Sequence, residues 1–155
     1  MILHVFMFDG RTPSDLARYL PPLWIYAMKL FLYACAGGAL GSGARYLVFV
    51  GMNRLVGPAA LFPWATLCVN VVGSFLMGVL IESLGTKFQA SPELRTLLAT
   101  GVLGGFTTFS AFSLDFVSLV NRKESLLAGL YATSSVCLSV LALYVGLYLM
   151  RLIIT

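Results

Sequence analysis

The chain has 155 residues, of which 59% are hydrophobic and 10% charged, with a formal net charge of +4. Soluble domains are about 45–50% apolar and about 25% charged, so this balance is that of a membrane protein. The basic residues form no run and no basic helix face, which excludes nucleic acid as a favoured partner. The cysteines Cys35, Cys68 and Cys137 form no CxxC pair, and neither a disulfide framework nor a thiolate metal site is predicted.

Residues 1–27 are interpreted as an N-terminal extension that precedes a membrane domain at 28–155. No basic residue precedes Asp9, which interrupts the apolar start, so the segment is a poor signal peptide. One alternative is a short interfacial helix around Asp15–Leu20. The other is that Met28 is the natural start, and it predicts that a chain beginning there still inserts and functions.

Four apolar segments are long enough to cross roughly 30 Å of hydrocarbon, which takes about 20 helical residues. They are Leu30–Gly51, Phe62–Ile81, Leu94–Val117 and Leu126–Met150. The connections between them are short, polar and rich in turn residues. The sequence therefore predicts an all-α membrane protein with four transmembrane helices.

The first span carries a face of small residues and ends near an arginine. Gly37 and Gly41 have GxxxG spacing, which lets two helices approach closely. Arg45 has two interpretations of equal weight. Its side chain either extends to the membrane interface or raises the positive potential of a vestibule that accepts anions.

The second and fourth spans each carry a stripe of three polar residues at four-residue intervals, on one helix face. The stripes are Thr66, Asn70 and Ser74 in the second span, and Tyr131, Ser135 and Ser139 in the fourth. Amide and hydroxyl groups can donate to an anion. The alternatives are hydrogen bonds between helices and bonds from serines to their own helix carbonyls. The recurrence favours an anion pathway.

The third span is interrupted at its centre by the run from Gly104 to Phe112. A membrane helix loses regular hydrogen bonds only where the freed groups find partners in protein, water or ions. We therefore expect carbonyls exposed between Gly104 and Thr107, and oxygen ligands suit a hard cation. Phe109 and Phe112 share a face just after this break, and their positive ring edges could assist dehydration of a small anion.

Hydrogen-bond donors dominate these spans, whereas the acidic residues Glu82 and Asp115 lie toward span ends. A cation conductor would need carboxylates or carbonyl rings along its pathway. The side chains therefore favour an anion as the transported ion.

The basic residues give almost no preference for one orientation in the membrane. Four lie on the side of the second loop and the C-terminus, namely Lys29, Lys87, Arg95 and Arg151, and three lie opposite, namely Arg54, Arg122 and Lys123. The positive-inside rule usually fixes topology. Near balance predicts insertion in both orientations and an antiparallel dimer, and a fixed topology with a weak signal remains the alternative.

Three motifs resemble those of the bacterial fluoride channels, the CrcB or Fluc family. They are GGALGSGARY ending at Tyr46, the run Asn70–Phe75, and GGFTTFSAFS from Gly104 to Ser113. With the stripe of the fourth span, the resemblance covers nearly all of the chain from Met28 onward. Ala111 departs from the pattern, because a threonine is common there.

The resemblance implies an antiparallel, dual-topology homodimer in the bacterial inner membrane, with the third helix broken in mid-membrane and two fluoride pathways. A structural sodium ion would bind the backbone carbonyls of Gly104 and Thr107. The implied pathway residues are Asn70, Phe109, Phe112, Thr66, Tyr131, Ser135, Ser139 and Arg45, to which we add Ser110. The implied function of residues 28–155 is passive fluoride efflux, which lowers cytoplasmic fluoride.

Three other classes compete with this interpretation. A four-helix proton-coupled multidrug exporter needs a membrane-embedded carboxylate, and the first span has none. A membrane enzyme needs a nucleophile, base or metal cluster, and the spans hold no such set. In a purely structural subunit, the polar stripes and the helix break would be energetically unfavourable features without a function.

Overall fold

The computed structural model describes residues 22–57, 60–86 and 90–154, and its regular structure there is entirely helical. The helices are α1 (Leu23–Val56), α2 (Trp64–Thr86), α3 (residues 92–106), α4 (Phe109–Asn121) and α5 (Ser125–Ile154). Four segments are long and apolar enough to span a membrane, with α3 and α4 forming one of them. This confirms the four predicted spans.

Three of the four helical segments extend beyond the predicted range at both ends, whereas α2 begins two residues later than predicted, at Trp64, and ends five residues later, at Thr86. The largest difference is in α1, whose 34 residues begin at Leu23 and therefore include the last residues of the predicted extension. At 1.5 Å per residue this helix is about 50 Å long, more than the hydrocarbon thickness. It ends at Gly57, whose φ of 85° favours glycine. The interfacial helix predicted around Asp15–Leu20 lies outside the described residues.

Helix α1 packs along α3 with the two backbones in contact. A Cβ atom on Gly37 would lie 2.8 Å from Gly101 Cα, and one on Gly41 would lie 2.8 Å from the Phe106 nitrogen. A Cβ on Gly105 would likewise lie 2.7 Å from the Gly38 carbonyl oxygen. Only residues without a side chain allow this approach, so the packing predicted from the GxxxG spacing is confirmed.

Helices α2 and α5 form a second pair of the same kind. A Cβ on Gly78 would lie 2.9 Å from the Leu147 nitrogen, and one on Gly146 would lie 3.1 Å from the Val79 nitrogen. The two glycines therefore let each helix approach the backbone of the other. This pair brings the two polar stripes into one half of the bundle.

Helix α3 consists of an α-helical turn Pro92–Arg95, a π-helical segment Thr96–Leu103 and a last α-helical turn Gly104–Phe106. Ser91 caps its start, because its hydroxyl accepts from the Leu94 N–H at 3.3 Å. The π-helical segment is the part against which Gly37 packs. Such segments are rare and are frequently found at functional sites.

At one end of the bundle, an ion pair joins the two helices within each helix pair. Lys29 of α1 lies 3.0 Å from Glu93 of α3, and Arg151 of α5 lies 3.0 Å from Glu82 of α2. The start of α1, the connection between α2 and α3, and the end of α5 therefore share one side. This is the arrangement expected for four consecutive spans.

The buried core is small and lies where α4 and α5 meet. It is formed by Leu119, Ala128 and Tyr131, with Phe62 and Phe112 packed against it. Most other large apolar side chains face outward. An exposed apolar surface of this extent suits a chain surrounded by lipid rather than water.

Candidate functional site

The helix formed by α3 and α4 is interrupted at two threonines. Thr107 has φ −77° and ψ 158°, and Thr108 has φ −154° and ψ 120°, so both are extended. Gly104 and Gly105 keep helical geometry, and the start predicted at Gly104 is therefore too early. Gly105 instead lets the end of α3 pack closely against Gly38 of α1, a role that requires no break in the helix.

Asn70 of α2 forms hydrogen bonds to this break through both the oxygen and the nitrogen of its side-chain amide. The Thr108 N–H donates to Asn70 Oδ1 at 2.9 Å, and Asn70 Nδ2 donates to the Thr108 carbonyl at 3.1 Å. In a continuous helix that Thr108 N–H would donate to the Gly104 carbonyl, which here loses this partner. The amide was predicted to offer two donors to an anion, but one of them is already committed to Thr108.

The hydroxyls beside the break are also engaged in local hydrogen bonds. Thr108 Oγ1 caps α4 by accepting from the Ala111 N–H at 3.2 Å, and it pairs with Ser110 Oγ at 3.2 Å. Thr107 Oγ1 donates to the Leu103 carbonyl at 3.0 Å. These bonds fix the two extended residues between helices.

A cavity of about 490 Å³ lies beside the break, and we call it the break cavity. It gathers residues predicted from three different spans. Its lining includes Asn70, Gly104, Thr107, Phe109, Phe112, Ser135 and Ser139. The structure therefore brings together seven of the residues predicted for the pathway and the cation site.

The hydroxyls of Ser135 and Ser139 are buried and form no well-aligned hydrogen bond within the described part of the chain, although the Ser135 hydroxyl lies close to that of Tyr131. Their neighbour Ser134 differs, because its hydroxyl donates to the Tyr131 carbonyl at 3.2 Å. An unsatisfied buried polar group costs about 1–3 kcal/mol. Both residues line the break cavity, and a water or ligand that reached these covered oxygens would satisfy them.

A second cavity of about 780 Å³ lies on the other side of the break, and we call it the arginine cavity. Arg45 and Ser110 line it together with Ser42 and Asn53. Thr108 borders both cavities, so the break lies between them. Arg45 and Ser110 were predicted for the pathway, and the structure places them apart from Ser135 and Ser139.

Thr66 and Tyr131 line neither cavity, although both were predicted for the pathway. Both are buried, and their hydroxyls donate to the same oxygen, Asp115 Oδ2, at 2.6 and 3.2 Å. Sequence reasoning missed Asp115 as a partner because it lies toward the end of its span. The signal was its position three residues after Phe112, on the same helix face.

The family described as CrcB-like protein, Camphor Resistance (CrcB), matches residues 32–147 of the chain. Three relatives are each named fluoride-specific ion channel FluC. The protein of Rhizobium etli strain CFN 42 is 54% identical over 123 residues, which are 79% of this chain and 97% of the relative. That of Chelativorans sp. strain BNC1 is 53% identical over 127 residues, 82% of this chain and 100% of the relative.

The third relative, from Rhizobium leguminosarum bv. trifolii strain WSM2304, is 55% identical over 120 residues. These are 77% of this chain and 94% of the relative. The region matched by the family, residues 32–147, includes both cavities and the break between them. The chain therefore belongs to the CrcB family.

Proposed function

We propose that this chain is a fluoride-selective ion channel that lets fluoride leave the cell passively and so lowers its cytoplasmic concentration. The observation that carries the proposal is that two residues lining the break cavity, Ser135 and Ser139, have buried hydroxyls without a well-aligned hydrogen-bond partner among the described residues. The names of the relatives support the same ion.

The chemistry of the break cavity suits a small anion. Fluoride is strongly hydrated, so donors must replace the water that it loses. Ser135, Ser139 and the uncommitted N–H of Asn70 are such donors. The rings of Phe109 and Phe112, with centroids 5.4 Å apart, could present positive edges to the ion. No carboxylate belongs to the described lining of the cavity to repel it.

The arginine cavity would collect the anion before it reaches the break. Arg45 carries a positive charge in a cavity whose walls also include Ser42 and Ser110. A positive charge in a low-dielectric cleft raises the local concentration of anions. Thr108 borders both cavities, so passage from one to the other would run past the break.

We propose further that two copies pair in antiparallel orientation, each with its third span broken in mid-membrane. The side chain of Phe109 is 76% exposed beside the break cavity, and Ser110 is also exposed. Polar groups facing lipid are costly, and a second copy on this face would cover them. A two-fold axis would place the same surface on both sides of the contact.

Such a pair would provide the ligands for the sodium ion that the family resemblance implies. The carbonyl of Gly104 has lost its helical donor, and Thr107 is extended at the same cavity. Two copies would offer four hard oxygen ligands, the kind that suits Na⁺. A bound sodium would supply a charged tie between the copies. We expect dimers in sodium solutions and monomers or unfolded protein when N-methylglucamine replaces sodium, and unchanged dimers would contradict this site.

We place the pair in the bacterial inner membrane as a multi-pass protein, with residues 28–155 as the channel domain. The four candidate spans support a membrane location. Unlike a proton-coupled drug exporter, the chain has no acidic residue between Leu23 and Val56 in its first helix.

Efflux from liposomes tests the function directly. The purified full-length protein is reconstituted, and fluoride loss is followed with an electrode while chloride loss is measured in parallel. We expect rapid fluoride loss without chloride loss. Equal loss of both ions, or no loss from folded dimers, would overturn the proposal, and uptake of a cationic drug driven by a proton gradient would replace it with the exporter.

A further inference from the structure

Five aromatic rings form a continuous chain from the connection before α2 to the break cavity. Successive centroids are 4.5, 5.6, 5.3 and 5.4 Å apart. In order, the rings are Trp64, Phe62, Tyr131, Phe112 and Phe109. The last two line the break cavity, whereas the first three line neither cavity.

Tyr131 is the link between the two parts of this chain. It is fully buried, and its hydroxyl donates to Asp115 at 3.2 Å. Phe62 meets its ring edge-on, at an interplanar angle of 90°. Edge-to-face contacts are favourable and have a defined geometry. The Tyr131 ring is therefore held at its hydroxyl by Asp115 and on its side by Phe62.

Phe112 rests on this fixed ring, with an interplanar angle of 35°. Its own ring faces the break cavity beside Phe109. Because densely packed interiors transmit strain, a displacement of Tyr131 would be transmitted through Phe112 to the wall of the cavity. The orientation of Phe112 thus depends on a residue outside the cavity.

We propose that Phe62 is a positioning residue for fluoride passage, acting through Tyr131 to hold the Phe112 ring in place at the break cavity. The inference rests on the proposed function. Phe62 does not contact the anion. Its contribution is to restrict the motion of a ring that does.

Replacement of Phe62 by leucine removes the edge-to-face contact but keeps an apolar side chain. In liposomes we expect Phe62→Leu to lower the initial fluoride efflux about fivefold, the equivalent of one aromatic pair. Phe62→Tyr keeps a ring and should stay within about twofold of the parent. Phe116→Leu is the matched control, because Phe116 packs on the same core outside the ring chain.

Equal efflux for Phe62→Leu and Phe116→Leu, or failure of Phe62→Tyr to restore efflux, would overturn the inference. A structural measurement keeps it separate from the proposed function. With 4-fluorophenylalanine at position 112, we expect one narrow ¹⁹F resonance in the parent and a broadened or shifted one in Phe62→Leu. Unchanged resonances would overturn the positioning role, whereas a parent without fluoride efflux would overturn only the function.

Discussion

The two polar stripes look alike in sequence but differ in how the structure uses them. In α2, Thr66 donates to Asp115 and Asn70 is bonded twice to Thr108. In α5, the hydroxyls of Ser135 and Ser139 form no well-aligned hydrogen bond with the described residues. Thr66 and Asn70 of the α2 stripe therefore hold the site together, and Ser135 and Ser139 of the α5 stripe supply its uncommitted donors.

This difference teaches that periodicity places polar groups on a face without saying which remain available. Availability is decided by what the neighbouring helix offers. The break offers Asn70 a backbone N–H and a carbonyl, whereas no group is aligned for a hydrogen bond with the Ser135 hydroxyl in the described part of the chain. A substitution in the α2 stripe should disturb the architecture, and one at Ser135 should disturb passage alone.

The largest effect is expected from Asn70→Asp. The carboxylate cannot donate to the Thr108 carbonyl, and it adds a negative charge to the break cavity. We expect fluoride efflux to fall about 100-fold, the equivalent of the roughly 3 kcal/mol cost of an uncompensated buried charge. Asn121→Asp, at the exposed end of α4, is the control for added charge. Undiminished efflux in Asn70→Asp would show that Asn70 takes no part in passage.

A smaller effect is expected at Gly73, where the absence of a side chain leaves room for Thr107 of the break. A Cβ atom there would overlap Thr107 Cγ2 and lie 3.1 Å from Phe106 Cδ1. Gly73→Ala should lower the free energy of unfolding by about 2 kcal/mol through overpacking, measured by thermal melting in detergent. Adding Thr107→Ser removes the overlapping methyl group and should restore much of the loss.

Gly85→Ala is the matched control for that series, because an added Cβ there would meet nothing within 4 Å. It lies in the same helix, so any shared effect would reflect helix propensity alone. A double variant as unstable as Gly73→Ala would contradict the proposed contact with Thr107.

A still smaller effect is expected from replacing Asp115, which accepts hydrogen bonds from the hydroxyls of Thr66 and Tyr131. Asp115→Ala deprives Thr66 and Tyr131 of their acceptor, and we expect the free energy of unfolding to fall by about 1.5 kcal/mol. Asp115→Asn keeps one acceptor oxygen and should lose about half as much. Equal stability of Asp115→Ala and the parent would show that the two hydroxyls do not depend on Asp115.

The four spans and the close approach at Gly37 could be predicted from length and spacing alone. The thickness of the hydrocarbon layer sets the length of a span, and the absence of a side chain at Gly37 permits the close approach of two helices. The break begins at Thr107 and not at Gly104 as predicted. The close packing of Gly105 against Gly38 depends on tertiary structure, which spacing alone does not show. The contacts of Asn70 with Thr108 and of Thr66 with Asp115 were not predicted, since they join residues 38 and 49 positions apart in sequence.

The most direct test of anion passage along uncommitted hydroxyls compares two adjacent serines of α5. Ser135 has an unsatisfied hydroxyl at the break cavity, whereas the hydroxyl of Ser134 donates to the Tyr131 carbonyl. In liposomes we predict that Ser135→Ala lowers fluoride efflux about tenfold without loss of stability, as loss of one hydrogen bond to an ion would. Ser134→Ala should leave efflux unchanged. Equal efflux in both variants would contradict the role of uncommitted hydroxyls in carrying the anion.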